Sequence, residues 1–348
     1  MSWSENPASN ATAGSPCNQL HNSARTGLCN RLHETGDHPC NPLHKPLHDR
    51  VAFYADAARS SATRRAYASD MAAFLAWGGR VAASPETVAS YLAASACLAA
   101  ATLRRRLAAI ADAHQAVGHP DPTKHPLVRK VFRGIRRVHG ARADAATPLD
   151  INMLARIVAA LPNDLTATRD RALLLVGFFC ALRRSELVAL TVEDLDRQPD
   201  GWIITIQRSK TDPYGRGQYV PLPVFRGPLC PTAAVTDWLA IASIAEGPVF
   251  RAVGPDLKIA SSLPAPQVGS ILRQRAAEAG LDVQRLSAHS LRSGFAVSAT
   301  RAGIAAAQIQ AVTRHRTLSG LAPYVRTAGP PSTAQLLGLP PLNTLAPG

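Results

Sequence analysis

The longest apolar run in this chain stops at a pair of arginines, and that junction limits what the chain can fold into. Residues 172–182 carry no charge and one glycine, Gly177, and Arg183 and Arg184 follow at once. A membrane-spanning helix needs about 20 apolar residues. The run is too short for that and reads instead as the central helix of a globular core. Arginines at the end of a buried helix are costly unless something anionic pairs with them.

Composition agrees with a soluble globular protein. A chain of 348 residues has room for two ordinary domains. Alanine supplies much of the 46% hydrophobic content, and aromatics make up only 5%, which favours a helix-rich fold. Lys and Arg number 38 against 24 Asp and Glu, a formal net charge of +14. A surplus of that size suits a polyanion, because phosphate neutralisation with counterion release dominates nucleic-acid affinity. Ribosome binding, an anionic membrane surface and plain solubility are the other readings of charge alone. Residues 1–14 are polar and lack the apolar segment of a signal peptide. A cytoplasmic location is therefore expected, and the six cysteines read as thiols rather than as a disulfide framework. Cys97 and Cys180 lie in apolar stretches and read as small core residues.

Residues 1–48 differ from the rest. They are rich in Asn, Ser, His and Pro, and carry the near-repeats Cys17-Asn-Gln-Leu-His21, Cys29-Asn-Arg-Leu-His33 and Cys40-Asn-Pro-Leu-His44. A Cys and a His four apart could share a metal on a helix face, but no second pair of standard spacing supports zinc. A disordered head is the favoured reading. Residues 49–139 follow a helical pattern. Ser61 is placed to cap a helix with Tyr67, Met71, Phe74 and Leu75 on its apolar face, and Ser84-Pro85 marks another start. Leu103, Leu107, Ile110, His114 and Val117 form a continuous stripe, with His114 a core-edge histidine rather than a ligand. Basic residues recur in this region, and Arg64, Arg65, Arg104, Arg105, Arg106, Lys130 and Arg133 are candidate DNA contacts.

Residues 140–147 read as a linker. Helices are expected at 154–161 and 169–182. A hairpin of strands at 202–207 and 218–222 follows, turning through Asp212-Pro213 and Gly215. Helices resume at about 230–245, 265–280 and 290–313. From Gly329 the chain is Pro-rich, with one short apolar segment at 334–337. The acidic residues Glu193, Asp194 and Asp196 could suit a divalent ion, although a solvated acidic turn is the plainer reading.

Four segments beyond residue 148 hold residues with chemistry. Arg183, Arg184 and Glu186 follow the apolar run. Lys210 sits at the hairpin tip. His289 and Arg292 are three apart, which places them on one helix face. His315 precedes Tyr324 by nine residues. On one unbroken helix that spacing would put them on opposite sides, and Gly320 and Pro323 between them predict an interruption.

Together and in this order, these segments resemble the catalytic domain of tyrosine recombinases, the phage integrase family of site-specific recombinases. The resemblance covers roughly residues 49–326. It implies a mainly α fold with a small antiparallel β-hairpin or sheet. A helical, SAM-like core-binding domain (49–139) would precede an integrase catalytic domain (148–328) and a Pro-rich tail (329–348), the two domains closing as a clamp on duplex DNA. It also implies catalytic positions at Arg183, Lys210, His289, Arg292, His315 and Tyr324, with Arg183 rather than Arg184 favoured by the pattern and Glu186 a structural partner beneath the arginines. Tyr324 would be the nucleophile forming a 3′-phosphotyrosyl bond. Arg183 and Arg292 would clamp the phosphate, Lys210 would protonate the leaving 5′-oxygen, His289 would assist proton transfer and His315 would bond the phosphate. No cofactor, metal or small-molecule substrate is implied. The expected partners are double-stranded DNA and three further copies of the chain, as a homotetramer on two paired sites. The sequence departs from the family where the usual glycine before the second histidine is Arg314, and where Pro323 precedes the tyrosine. A type IB topoisomerase and a DNA-binding regulator without catalysis are the rival readings.

Overall fold

The computed structural model describes residues 46–140, 146–198, 201–207 and 217–329. The expectations for the Cys/His head, most of the linker, the Asp212-Pro213 turn, Lys210 and the tail beyond Gly329 lie outside the described residues. The chain divides into two units, residues 1–143 and 144–348.

The first unit is helical: α1 (Leu47–Ala57), α2 (Ser61–Ala76), α3 (Pro85–Ala94), α4 (Ala100–Ala116) and α5 (Pro126–Val138). Helix α3 starts as expected, with Ser84 accepting the Thr87 N–H and Pro85 in the first turn. Helix α2 is capped one residue earlier than expected. Ser60 is extended and its hydroxyl accepts the Thr63 N–H, whereas Ser61 is already helical. Helix α2 packs on α4 and α3 on α5, burying Phe74, Val88, Tyr91, Leu92, Leu103, Ile110 and Val128. Leu75 is half exposed, because one helical step turns it about 100° from Phe74. Val117 lies past the end of α4 and is exposed. Cys97 is also exposed, since α3 ends at Ala94 and the chain is turning there. His114 is buried and fully occupied. Its Nδ1 meets the Ile110 carbonyl at 2.7 Å, while Nε2 accepts the Ala83 N–H at 3.0 Å, which places the ring proton on Nδ1.

The second unit is built on α7 (Leu165–Phe179). The other elements are α6 (Ile151–Ala159), α8 (Arg184–Ala189), β1 (Leu195–Gln198), β2 (Gly201–Ile206), β3 (Gln218–Pro223), α9 (Pro231–Ile241), α10 (Ala265–Glu278), α11 (His289–Arg301), α12 (Ala306–Thr313) and α13 (Ala322–Ala328). Helix α7 begins earlier than the apolar run, because Asp164 accepts the Ala167 N–H and starts it. It packs against α6, α9, α10, α11 and β3, and is buried continuously from Ala172 to Phe178. The fold is mostly helical with one small antiparallel sheet, ordered β1-β2-β3.

Two expectations need correction here. The stretch 290–313 is two helices, because Gly303 at φ 78° reverses the chain after α11. The N–H groups of Gly303 and Ile304 bond back to the carbonyls of Thr300 and Ala299. The acidic segment is not a simple solvated turn. Asp194 is buried and accepts the Thr191 N–H and the Gln207 amide, Glu193 accepts the Gly247 N–H, and Asp196 lies on β1. Among the described residues no group of three or more His, Cys, Asp or Glu is placed to hold a metal ion. No helix among them is long and apolar enough to cross a membrane.

Helix α11 is set against the start of this unit at very close range. The Leu149 N–H donates to the Ser290 carbonyl at 2.9 Å and the Ile151 N–H to Ser298 Oγ at 3.0 Å. A Cβ on Gly294 would overlap the Leu149 carbonyl. Gly294→Ala should therefore destabilise the protein by more than about 2 kcal/mol, since backbone on both sides must shift. A chemical denaturation midpoint unchanged from wild type would contradict this close approach.

Candidate active site

The site forms where helix ends meet. Helix α7 ends with Ala181 in the left-handed region at φ 46°. The Ala181 N–H bonds to the Phe178 carbonyl and the Leu182 N–H to that of Gly177, the paired pattern of a Schellman stop. That turn leaves the carbonyls of Cys180 and Ala181 needing donors. Arginine side chains supply them: Arg292 Nη1 reaches the Ala181 oxygen at 2.6 Å and Arg314 Nη1 the Cys180 oxygen at 3.2 Å.

Directly after the stop, Arg183 caps α8, and Glu186 folds back on it. One Glu186 oxygen accepts the Arg183 N–H at 2.9 Å and the other accepts Arg183 Nη1 at 2.6 Å. Arg314 Nη2 closes on the same carboxylate at 2.7 Å. Glu186 is buried, Arg183 is partly exposed and Arg184 is exposed, so the structure places Arg183, not Arg184, in the cluster. Burial alone would raise the Glu186 pKa, but Arg314 and the backbone and side chain of Arg183 bring it below the usual carboxylate range.

Arg292 is buried on α11 and joins two helix ends. Its Nη1 donates to Ala181 and its Nη2 to the Thr313 carbonyl. Burial, then Arg183 and Arg314, lower its pKa to about 10, with Glu186 and Tyr324 opposing. Arg183, Arg292 and Arg314 thus face one carboxylate, which leaves two positive charges uncompensated among these four side chains.

Tyr324 reaches this cluster because the chain breaks between it and His315. Helix α12 stops at Thr313 and Arg314 is left-handed at φ 55° and ψ 42°. A 3₁₀ turn at Leu318–Leu321 then leads into α13, which carries Tyr324. The interruption predicted from Gly320 and Pro323 is present, and the preceding helix has already stopped at left-handed Arg314, one residue before His315. Gly320 lies close under His315, and a Cβ there would sit 3.3 Å from the ring. Tyr324 Oη lies 3.0 Å from His289 Nε2, and its ring centroid is 5.7 Å from that of His315. Thr313 Oγ1 bonds His315 Nδ1 at 2.7 Å.

The electrostatics of the three rings follow first from burial and then from that surplus of cations. Burial raises the Tyr324 pKa above 10.0, and Arg292 and Arg183 only partly offset it. The His289 pKa is lowered by loss of water first, then by Arg292 and Arg183. That of His315 is lowered to about 4 by burial, then Arg292, Arg183, His289 and Arg314. The DNA-free site therefore holds a protonated phenol beside an uncharged imidazole able to accept its proton.

Five of the six expected site residues come together, and Lys210 lies outside the described residues. Sequence reasoning passed over Thr313 and treated Arg314 only as a departure from pattern. In the first unit, Arg64, Arg65, Arg104, Lys130 and Arg133 are exposed. Arg105 is exposed as well but also pairs with buried Asp70 at 2.7 Å, and partly buried Arg106 donates to Tyr91 Oη at 2.8 Å. These two candidates spend donors inside the domain, because Asp70 and Tyr91 are buried polar groups that need them.

A fold of this kind, with a tyrosine and two histidines beside clustered arginines, defines a DNA strand transferase of the tyrosine type. The family model for the phage integrase family matches residues 148–329. An integrase/recombinase xerD homolog of Selenomonas ruminantium is 35% identical over 266 residues, covering 73% of this chain and 78% of its own length. A tyrosine recombinase of Synechococcus elongatus is 31% identical over 282 residues, covering 76% and 85%. Among solved structures, the Tn1549 transposon integrase in complex with transposon right end DNA aligns with a TM-score of 0.59 at 12% identity, covering 80% of this chain and 93% of its own. A lambda integrase dimer bound to a core site aligns at 0.56 and 15%, covering 81% and 95%. The chain belongs to the phage integrase family of tyrosine recombinases, the enzymes of site-specific DNA recombination.

The depressed histidines set a pH dependence. An unfolded chain holds histidine near 6.5, so between that pH and about 4 it binds a proton that folded His315 refuses. This contribution is fully present above 6.5 and is lost as pH falls through the window; His289 acts in the same sense. Glu186, with its pKa below 4.5, adds its own loss only at lower pH. The melting temperature of DNA-free protein should fall as pH drops from 6.5, and His315→Gln should flatten that slope. An identical slope in the variant would count against a desolvated His315.

Proposed function

We propose that this protein cuts and rejoins duplex DNA at specific sites with Tyr324 as nucleophile. The observation that carries the assignment is the 3.0 Å approach of Tyr324 Oη to His289 Nε2 beside the guanidinium cluster. In the first step the Tyr324 oxygen attacks the scissile phosphorus while its proton passes to His289 Nε2. The bond from phosphorus to the 5′-oxygen breaks, and that oxygen leaves as a 5′-hydroxyl after taking a proton from Lys210, the role the family pattern gives this lysine. The 3′-phosphotyrosyl bond retains the energy of the phosphodiester. A 5′-hydroxyl from the other duplex can therefore reverse the step without ATP, returning the proton and restoring Tyr324.

A phosphodiester carries one negative charge, and attack by the phenolic oxygen develops a second on the non-bridging oxygens. Two uncompensated positive charges in a partly dehydrated site favour the more highly charged species. Arg183, partly exposed, is positioned to donate first. The terminal nitrogens of Arg292 each donate one hydrogen to a backbone carbonyl, which fixes the guanidinium and leaves the second hydrogen of each for a phosphate oxygen. His315 Nε2 supplies a further donor once Thr313 Oγ1 turns its hydrogen from the Ile309 carbonyl to His315 Nδ1. The helical unit at 49–139 serves as the second DNA-binding domain, and exchange between two sites calls for a homotetramer working on chromosomal or mobile-element DNA in the cytoplasm.

Duplexes drawn by binding from a random-sequence pool, then nicked at successive positions so that the cut fragment diffuses away, should trap an SDS-stable protein–DNA adduct. Tyr324→Phe should form none, and Arg183→Ala should slow its formation by about 10²–10³-fold. An equal yield from Tyr324→Phe would defeat this reading. Plasmids carrying two copies of the trapped site should recombine; relaxation alone would identify a topoisomerase.

The basic residues of the first unit separate by the same logic. Lys130→Ala should weaken DNA binding and reduce the salt slope by about 1 while leaving the melting temperature unchanged. Arg105→Ala should lower stability by about 1–3 kcal/mol, because it removes a donor from buried Asp70. Equal effects of the two variants on melting temperature would remove the distinction.

A further inference from the structure

We infer that Arg314 is a positioning residue for strand cleavage, holding the two acceptors that orient Arg183 and Arg292. The inference rests on the proposed function and adds to it a residue that never meets the DNA.

Arg314 occupies a position where its own backbone is unfavourable. At φ 55° and ψ 42° it adopts the left-handed conformation that glycine takes without penalty, yet its side chain is long, charged and 5% exposed. Ordinary helix termination therefore does not account for an arginine here. Its contacts do. Nη2 bonds Glu186 Oε2 at 2.7 Å and lies 3.5 Å from the Ala181 carbonyl, while Nη1 bonds the carbonyls of Val312 at 2.9 Å and Cys180 at 3.2 Å. Glu186 and Ala181 are the same groups that hold Arg183 Nη1 and Arg292 Nη1. One buried guanidinium thus ties the end of α12 to the turn between α7 and α8, and His315 follows it in the chain. Its Nε is buried without a hydrogen-bond partner among the described residues, a cost tolerated for the sake of the other bonds.

Both terminal nitrogens of Arg314 are committed to Glu186 and to the carbonyls of Val312, Cys180 and Ala181, so its donors are directed at the protein rather than at a phosphate. Its effect on chemistry must pass through Glu186 and Ala181. Removing it frees the Glu186 carboxylate to turn and unpins Arg183, so loss should appear in the rate of cleavage rather than in DNA affinity.

The test is single-turnover adduct formation by the full chain on the nicked, pool-selected duplexes, at saturating DNA. Arg314→Gly relieves the backbone and removes the guanidinium. It should slow the rate by about 10- to 100-fold, with Kd for the same duplex within about twofold, measured below the variant's own melting temperature, which loss of the buried Glu186 pair lowers. In a Glu186→Gln background the same substitution should cost no more than about threefold further, since contacting residues acting as one unit are not additive. Arg314→Lys keeps the charge but cannot span carboxylate and carbonyls together, and should fall between. A wild-type rate in Arg314→Gly, or a loss that multiplies in full on Glu186→Gln, would overturn the inference. If Arg314→Gly melts below the assay temperature, Arg314→Lys decides: slowing of at least about threefold with an intact fold supports the role, and a wild-type rate refutes it. Adduct formation that is normal in wild type and equal in Arg314→Gly defeats this inference alone, whereas no adduct from wild type defeats the functional reading and this one with it.

Discussion

The Glu186 carboxylate is the group on which the site depends. It receives three donors, the Arg183 backbone N–H, Arg183 Nη1 and Arg314 Nη2, and it is only 5% exposed. A buried carboxylate with a single partner is a liability, because its lost hydration is not repaid by one Coulomb contact. With two guanidiniums and a backbone donor it becomes a fixed point. Around it the charges do not balance, and they are not arranged to. A self-neutralising cluster would be a structural ion pair and nothing more. Here burial, and after it the surplus of arginine, lowers the pKa of both histidines and of Arg292 itself, so the site resists further positive charge.

The framework that holds this imbalance consists of helix termini. The last carbonyls of a helix have no partners within it and carry partial negative charge. The end of α7 and the end of α12 face the same guanidiniums, so Arg292 and Arg314 satisfy acceptors that burial would otherwise leave empty. Both ends turn through left-handed residues that are not glycine, Ala181 and Arg314. Each conformation costs about 1–2 kcal/mol for a residue with a side chain, and each points carbonyl oxygens toward the arginines. His289 begins α11, where the partial positive charge of a helix start also disfavours a protonated ring. Residues far apart in the chain are thereby held by backbone geometry rather than by loops.

Much of this was visible in the chain itself, for a physical reason. Local signals travel with local sequence. Ser84-Pro85 starts α3, the His289–Arg292 spacing puts both on one helix, and Gly320 with Pro323 breaks the path to Tyr324. What stayed hidden depends on partners distant in sequence. Arg105 looked like part of a basic face until Asp70, 35 positions away, proved to hold it. Asp194 looked solvated, but it is buried under Thr191 and Gln207. Arg314 showed only as an oddity beside the second histidine, because Glu186 lies 128 positions earlier. Ser60 and Ser61 are adjacent and chemically alike, so composition alone could not choose the cap. Arg183 and Arg184 posed the same problem, and the Schellman stop resolves it by directing the first of them inward.

On the proposed reading, the same charge imbalance bears on when Tyr324 becomes active. Burial keeps Tyr324 protonated, and burial, then Arg292 and Arg183, make His289 a weaker base than a free imidazole. An arriving phosphodiester brings the electrophile and, on the proposed reading, a negative charge against those arginines. That charge removes part of the field that disfavours an imidazolium, so His289 becomes a better acceptor as the phosphorus comes within reach. The desolvation contribution acts in the opposite sense and grows as DNA excludes more water. The outcome therefore depends on how closely the phosphate oxygens approach Arg183 and Arg292, because Coulomb attraction rises steeply at short range in a dry site. On the proposed roles, a loosely placed phosphate would leave His289 weak and the phenol intact, and only close seating against the arginines would turn the pair toward reaction.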